Sequence, residues 1–401
     1  MFGRARYLTI FVSMLAALPL MRAASAADIG VSEKEIKIGV HTSLTGGASF
    51  IGQGGRLGID LATAEINAHG GVNGRKLNVV YVDDRGAPDG GVSAARRLVD
   101  EEKVFAVFGA GPSAATVSVL PFFQQTKVPY FVSFASDPRV LEKFSANIYS
   151  GATVPQADAL GEYAKFLIET IKAKRVAIFA CDQPHCSSGK PILKGLLDKA
   201  GVASTIIDYN SGDTDFTGQI QQAIASKPDA VFLFGLAPDE GRLIPQIRNA
   251  DIQQPIVTDT SGCDLSVLRL SGKAAEGYYT FWFGGSQFYD DNTGAMGKFY
   301  ASLDANKIQR PANTPNLYSL MAYSDVYVVA EAIRLAGPDP TRAGLLKALD
   351  TGINGFVGGK TEPWTFAAPI GIPRTFTATD HKGTSSVVPV VVRNGSFKPV
   401  S

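Results

Sequence analysis

Apolar, strand-like runs alternate with helix-spaced segments along most of this chain, and that rhythm restricts the fold more than any other feature. Glu35-Ile36-Lys37-Ile38-Gly39-Val40 alternates and then turns apolar, which predicts a strand. A loop rich in Gly, Ser and Thr is expected from 42 to 55, and 57–68 has helical spacing. Gly70-Gly71-Val72-Asn73-Gly74 marks a turn, and 77–82 a second strand ending at Asp83-Asp84. A helix is expected over 90–102, a buried strand over 104–108, a helix over 113–125 and a strand over 129–134. Strand, helix, strand at this rhythm implies a parallel sheet covered on both faces.

The rhythm then restarts. Helices are expected over 157–170, 190–200, 216–226 and 243–250, and strands over 175–180, 204–208, 230–234 and 255–258. The class is therefore α/β, with two doubly wound units dividing near 153–157 and no long linker between them. From Gly284 the pattern is less regular. A long helical pattern covers 317–335, with Tyr318, Tyr323 and Val326 near one stripe, and 387–392 reads as a late strand. Open α/β sheets bind ligands beyond the carboxyl ends of their strands. Two such lobes facing each other make a cleft that can close on a small molecule.

The N-terminus stands apart from this pattern. Arg4 and Arg6 precede an apolar run from 7 to 20, and Ala24-Ser25-Ala26 offers the small residues a signal peptidase reads. Residues 1–26 are therefore expected to be a cleaved secretory signal. That leader holds three arginines and no acid, so 35 of the 38 basic residues remain against 37 acids, a net charge of −2. No cysteine follows at once, so a lipid anchor is not expected. With 45% hydrophobic and 19% charged residues the 401-residue chain is ordinary globular material, and a formal charge of +1 gives no case for nucleic acid. Export favours disulfides and disfavours enzymes that need cytosolic nucleotides.

The expected strand ends carry the polar chemistry. After Phe108 comes Gly109-Ala110-Gly111-Pro112-Ser113, with Ser113 at a helix start, where free N–H groups and a partial positive charge favour an anion. Ser113 is also a natural N-cap. Phe134-Ala135-Ser136 ends the next strand and would add donors to the same spot. Neutral donors without Lys or Arg suit a carboxylate. Gly109-x-Gly111-x-x-Ala114 loosely matches a dinucleotide fingerprint, but it follows the third strand rather than the first, and Pro112 removes a donor, so no cofactor is expected.

Cys181-Asp182-Gln183-Pro184-His185-Cys186 lies at a strand end in the second unit. A disulfide between Cys181 and Cys186 fits an exported chain best. A metal held by both thiols and His185 lacks a fourth ligand, and no metal is expected. A Cys–His nucleophile lacks a placed base. Cys263 could replace either partner.

With these loops in order, the chain resembles the periplasmic binding proteins of ABC importers, in the branched-chain amino acid (Leu/Ile/Val) binding family. The similarity runs from about Ile36 to Val392. It rests on Ile36-Lys37-Ile38-Gly39 with Leu44-Thr45-Gly46, on Gly70 to Arg75, on Asp83-Asp84, on Gly109 with Ser113, on Val128-Pro129 and on Asp380-His381-Lys382-Gly383. The resemblance implies the type I periplasmic binding fold, two lobes joined by three hinge crossovers. One lobe would take 27–154 plus 284–382, the other 155–283 plus 383–401. It also implies a periplasmic monomer that meets the permease subunits of an inner-membrane ABC transporter. A sensor feeding a membrane receptor is the alternative within the fold, and an exported Cys/His enzyme the remote one.

The resemblance further assigns a site. Ser113, Ala135 and Ser136 match the residues that hold a ligand carboxylate. His185 and Leu236 fall where aromatics pack on the ligand, Tyr318 matches a tyrosine from the long helix, and Phe50 and Ile51 match the side-chain pocket. The acid that pairs with a ligand ammonium falls at Thr260, which is neutral, leaving Asp259 and Asp264 as possible substitutes. A buried ammonium without a carboxylate is costly. The expected cargo is therefore a small carboxylate, aromatic or aliphatic, without an α-amino group, with ring contacts from Phe50, Tyr318 and Trp282. An open carboxylate at Asp259 keeps a branched-chain or hydrophobic amino acid as the alternative.

Overall fold

The computed structural model describes residues 28–151, 154–282, 294–312, 314–352, 376–383 and 387–400. The expected leader, the division point at Thr153 and the return at Gly284 lie outside them. In the first lobe the chain runs β1 (Glu35–Thr42), α1 (Ser49–Ala68), β2 (Lys76–Asp83), α2 (Pro88–Arg96), β3 (Ala106–Gly109), α3 (Ser113–Thr126), β4 (Tyr130–Val132), α4 (Arg139–Glu142) and β5 (Ile148–Ser150). These strands form one parallel sheet in the order β2-β1-β3-β4-β5. Its central strands are buried on both faces, as a helix-covered parallel sheet requires.

The second lobe contains α5 (Gln156–Lys165), β6 (Arg175–Cys181), α6 (Pro184–Lys199), β7 (Ala203–Tyr209), α7 (Thr217–Ser226), β8 (Ala230–Phe234), α8 (Ala237–Asn249), β9 (Ile256–Thr258), α9 (Leu265–Ser271) and β10 (Tyr279–Trp282). The chain then supplies α10 (Gly294–Ala305), α11 (Leu317–Leu335) and α12 (Arg342–Gly352), before β11 (Val388–Arg393) and β12 (Ser396–Pro399). The second sheet has seven strands in the order β12-β11-β10-β9-β8-β6-β7, with β11 and β12 antiparallel.

Helix α11 belongs to the first lobe and packs on α1. Its start is fixed by a capping box in which Asn316 and Ser319 exchange bonds of 3.2 and 3.1 Å. The Asn316 amide also donates to the Phe50 carbonyl at 3.0 Å. A side chain at Gly58 would meet the Tyr323 backbone nitrogen at 2.9 Å, so glycine sets how closely the two helices approach. The chain passes between the lobes three times: after β5, after β10 and before β11. Two of these passages lie together, because Gly383 donates its N–H to the Ser150 carbonyl at 2.8 Å and Ser150 donates to the His381 carbonyl at 2.9 Å.

Several expectations need correction. Helix α1 begins at Ser49, so Phe50 and Ile51 sit on its first turn and not in a loop. Helix α6 begins at Pro184, which puts His185 on a helix rather than on a loop. Helix α8 begins at Ala237, six residues before the expected start at Leu243. Ser113 is the first helical residue of α3 and not its cap; Pro112 holds the cap position in extended backbone, with no side-chain cap bond. Trp282 closes β10 opposite Val388. No described helix is long and apolar enough to cross a membrane.

Candidate functional site

One cavity of about 550 Å³, counting its open mouth, lies where the strand ends of both lobes converge. From the first lobe come Ile51 on α1, Ser113 at the head of α3, Phe134 and Ser136 after β4, and Leu317, Tyr318 and Met321 on α11. From the second come His185 on α6, Leu236 before α8, and Asp259, Thr260 and Ser261 after β9. Thus Ile51, Ser113, Ser136, His185, Leu236, Asp259, Thr260 and Tyr318 meet in one place. Phe50 stands one layer out, its ring edge-on to Tyr318 with centroids 5.8 Å apart. Ala135 is buried among the first-lobe core side chains, between two residues that do line the cavity. Trp282, expected to supply a ring contact, is not part of the wall.

The first-lobe wall is made of neutral donors. The Pro112 carbonyl accepts the Thr116 N–H at 3.1 Å, so the N–H groups of Ser113, Ala114 and Ala115 have no partner within the helix. With Ser113 uncommitted to capping, its hydroxyl is available beside them. A buried network holds the loop that leads there. His41 Nδ1 lies 2.8 Å from Asp84 Oδ2 and Nε2 lies 2.7 Å from the Tyr130 hydroxyl, while Ser43 donates to Asp84 Oδ1 at 2.8 Å. The loop sits directly on this network: a side chain at Gly111 would meet Asp84 Oδ2 at 2.7 Å.

A family model described as periplasmic binding protein matches residues 35–396. The chain belongs to the periplasmic binding protein family. This binding protein is 25% identical over 315 residues to an amino acid binding protein of Pseudomonas aeruginosa, covering 77% of this chain and 81% of that one. It is 26% identical to a Leu/Ile/Val-binding protein homolog of Brucella abortus over 77% of this chain and 80% of the other. A leucine binding protein of Thermotoga maritima shares the fold with a TM-score of 0.76 at 22% identity, over 91% of this chain and 98% of that one. A fatty acid ABC transporter substrate-binding protein of Thermomonospora curvata also reaches 0.76, at 20% identity, over 92% and 91%.

The second-lobe wall of the binding protein is acidic, unlike the first. Asp259 caps a short 3-10 turn, and its Oδ1 accepts the Ser261 N–H at 2.7 Å. Its own carbonyl takes hydroxyl bonds from Thr258 at 3.0 Å and Thr280 at 2.6 Å. The Tyr163 hydroxyl accepts the Thr260 N–H at 3.2 Å. Burial pushes the Asp259 carboxyl up to about 7, against the bond from Ser261. Behind it lies Glu240 on the first turn of α8, with no exposed surface and neither oxygen in full hydrogen-bond geometry. Burial, then the charges of Asp259 and Asp239, push Glu240 well above the usual carboxylate range.

His185 is held by its helix and by a disulfide. Cys181 and Cys186 are joined, with Cα atoms 5.6 Å apart, and Cys263 is free and buried. The His185 ring lies edge-on to Phe234 with centroids 5.7 Å apart, and burial lowers its pKa to about 4. It therefore faces the cavity as a neutral group. The donor atoms of Cys181, His185 and Cys186 fall within 4.8 Å of one another, but the disulfide occupies both thiols.

Sequence reasoning passed over Pro112, Phe134, Ser261, Leu317 and Met321 as wall residues. Met321 was findable from helical spacing, three residues after Tyr318, and Leu317 lies on the same face as Met321, four residues before it. Glu240 gave no signal, because an acid in a first helical turn is ordinary dipole complementation.

Proposed function

We propose that this chain is the exported solute-binding component of an ABC importer and captures a small organic carboxylate with an apolar or aromatic body. The observation that carries the reading is the pairing, in one cavity, of the uncapped α3 N-terminus and Ser113 with the apolar faces of Ile51, Phe134, Leu236, Leu317 and Met321. The helix end receives the carboxylate and the apolar wall receives the body. Residues 27–154 with 284–382 would move as one body, and 155–283 with 383–401 as the other. Closure needs only that the ligand contact both lobes better when they are shut. The closed monomer then meets permease subunits in the inner membrane, after residues 1–26 are removed on export. Catalysis has little support: the two thiols near His185 are joined and the third is buried.

The names of relatives extend from leucine, isoleucine and valine to fatty acids, which keeps both amino acids and plain acids in play. Asp259 on the cavity wall favours the amino acid as a second reading, because it offers a carboxylate next to the neutral Thr260. Thermal unfolding against a panel of amino acids, aromatic acids and aliphatic acids tests the proposal. A true ligand at a hundredfold excess over its dissociation constant adds about 2.7 kcal/mol of stability. A panel in which only uncharged or cationic solutes shift the midpoint would sink the carboxylate reading.

A further inference from the structure

We propose that the Asp259–Glu240 pair makes the cavity wall charge-adaptable, so that one pocket accepts two ligand classes. Ammonium-bearing carboxylates enter when Asp259 is ionised, and plain carboxylates enter when Asp259 is protonated. This inference rests on the binding reading above and adds the residue pair that sets ligand class.

The geometry begins with α8. Its first turn presents two neighbouring acids with different fates. Asp239 is engaged outside the pair through Oδ1, which takes the Gly212 N–H at 3.1 Å and pairs with Arg242 at 2.5 Å, while its Oδ2 has no partner in hydrogen-bond geometry. Glu240 is fully buried, with no cation among the described residues and no hydrogen bond of good geometry. Both acids stand at the end of β8, since the Asp259 N–H donates to the Leu233 carbonyl at 3.1 Å and a side chain at Gly235 would lie 3.6 Å from Glu240 Cγ; Asp259 is the charge that weighs on Glu240 most. Two carboxylates cannot both ionise at such a buried contact, so one keeps its proton. Glu240 is the deeper of the two, with only the Gly235 N–H bearing on it and outside full hydrogen-bond geometry, whereas Asp259 has the Ser261 N–H and the cavity. The proton therefore stays on Glu240, and a neutral acid at this place favours the ionised form of Asp259.

Asp259 is then the member that changes charge. Among the described residues nothing else around it does so near neutrality: His185, on α6 in the same cavity, is lowered to about 4 by burial. The hydroxyls of Tyr163, Tyr209 and Tyr318 face the pair from α5, β7 and α11, and burial keeps each protonated. Tyr278, packed beside β10, is protonated for the same reason. Asp264 caps α9 through the Ser266 N–H at 2.8 Å, and Arg269 is the cation that bears on it. Among the described residues, no lysine or arginine is paired with Asp259 or among the groups that act on it. An ionised Asp259 thus has no cation until a ligand brings one, and a protonated Asp259 leaves the anion at α3 unopposed.

Matched ligands separate the two states. Leucine and 4-methylpentanoate differ only in the ammonium group, as do phenylalanine and 3-phenylpropanoate. Calorimetric titration of the mature protein from pH 5 to 8.5 gives each dissociation constant. The ratio of amino acid to plain-acid affinity should rise about tenfold per pH unit, or about 100-fold from pH 6 to pH 8. Asp259→Asn should make that ratio flat and favour the plain acid. Glu240→Gln keeps a donor and should leave the pH of equal affinity in place, whereas Glu240→Leu should move it upward. A pair that binds with a pH-independent ratio overturns the proposal and leaves the binding reading standing. So does an unchanged crossover in Glu240→Leu, provided that variant unfolds cooperatively. Failure of every ligand in both pairs, at every pH, overturns the proposal and this ligand class together.

Discussion

Asp84 Oδ2 lies 2.8 Å from His41 Nδ1, and neither side chain has any exposed surface. Burial alone would raise the Asp84 carboxyl, but bonds from His41, the Gly86 N–H and Ser43 hold it below its ordinary value. The pair forms the floor under Gly111 and hence under the head of α3. His41→Ala removes the partner of a buried acid and of the Tyr130 hydroxyl together. A loss of about 3–5 kcal/mol is expected in urea unfolding. The stabilisation that Asp84 contributes is present above its unfolded pKa of about 3.9 and is lost as pH falls further, through its lowered folded value. A His41→Ala loss below about 1 kcal/mol would show that the network does not support the loop.

Ser113→Ala separates binding from folding. The hydroxyl caps nothing, so the unliganded protein should keep its stability to within about 0.5 kcal/mol. Carboxylate affinity should fall by about 10- to 100-fold, the usual worth of a hydrogen bond to a charged group. Calorimetry with the best ligand of the panel measures the second number and chemical unfolding the first. Equal affinity in variant and parent would place the anion elsewhere.

Nine of the twelve described strands were legible from sequence to within two residues, because a strand buried on both faces is an unbroken apolar run, while the short β5, β10 and β12 were not expected. The long helix was legible too, matching α11 at both ends. Helix starts were the failure, and the cause is tertiary. The first turns of α1 carry Gly52, Gly54 and Gly55, which look like a loop, yet each fits beside Ser43, Asn316 or Phe134 where a larger residue could not. The expected starts at 190 and 243 fall beside Pro191 and Pro245, which lie well inside α6 and α8. The cavity wall was readable in proportion to its dependence on strand ends. Ser113, Ser136 and Asp259 follow β3, β4 and β9 directly. Glu240 depends on the depth of α8, which no local pattern records.

The disulfide should matter to the ligand more than to the fold. Cys181 and Cys186 are separated by five positions, and closing so short a loop stabilises by about 2 kcal/mol. Replacing both with serine should lower stability by about that amount. It also frees the start of α6, so His185 should lose its fixed place beside Phe234 and ligand affinity should drop. Thermal unfolding and ligand titration, each with and without reductant, test both statements. An affinity untouched by reductant would separate the disulfide from the site.

Stability against pH should show two opposed contributions from the cavity wall. Asp259 has a folded pKa of about 7 against about 3.9 unfolded, so it withdraws stability as pH rises from about 4 to about 7. His185 has a folded pKa of about 4 against about 6.5 unfolded, so its contribution is lost as pH falls through that window. Asp259→Asn should therefore gain on the parent as pH rises to 7, at up to about 1.4 kcal/mol per pH unit. His185→Gln should gain on the parent as pH falls from 6.5 to 4. Unfolding curves across pH 4 to 8 for the three proteins decide the signs.

Helix α11 is buried without a break from Leu317 to Ile333, and its first turn is also cavity wall. A substitution at Leu317, Tyr318 or Met321 therefore alters the cavity wall and the first-lobe core in one step. Leu236, Thr260 and Ser261 on the opposite bank are only half-buried. Selection for a new cargo, whether in a natural lineage or in a directed library, has its freedom on that bank. The buried α11 side serves as the anvil against which new side chains are tried.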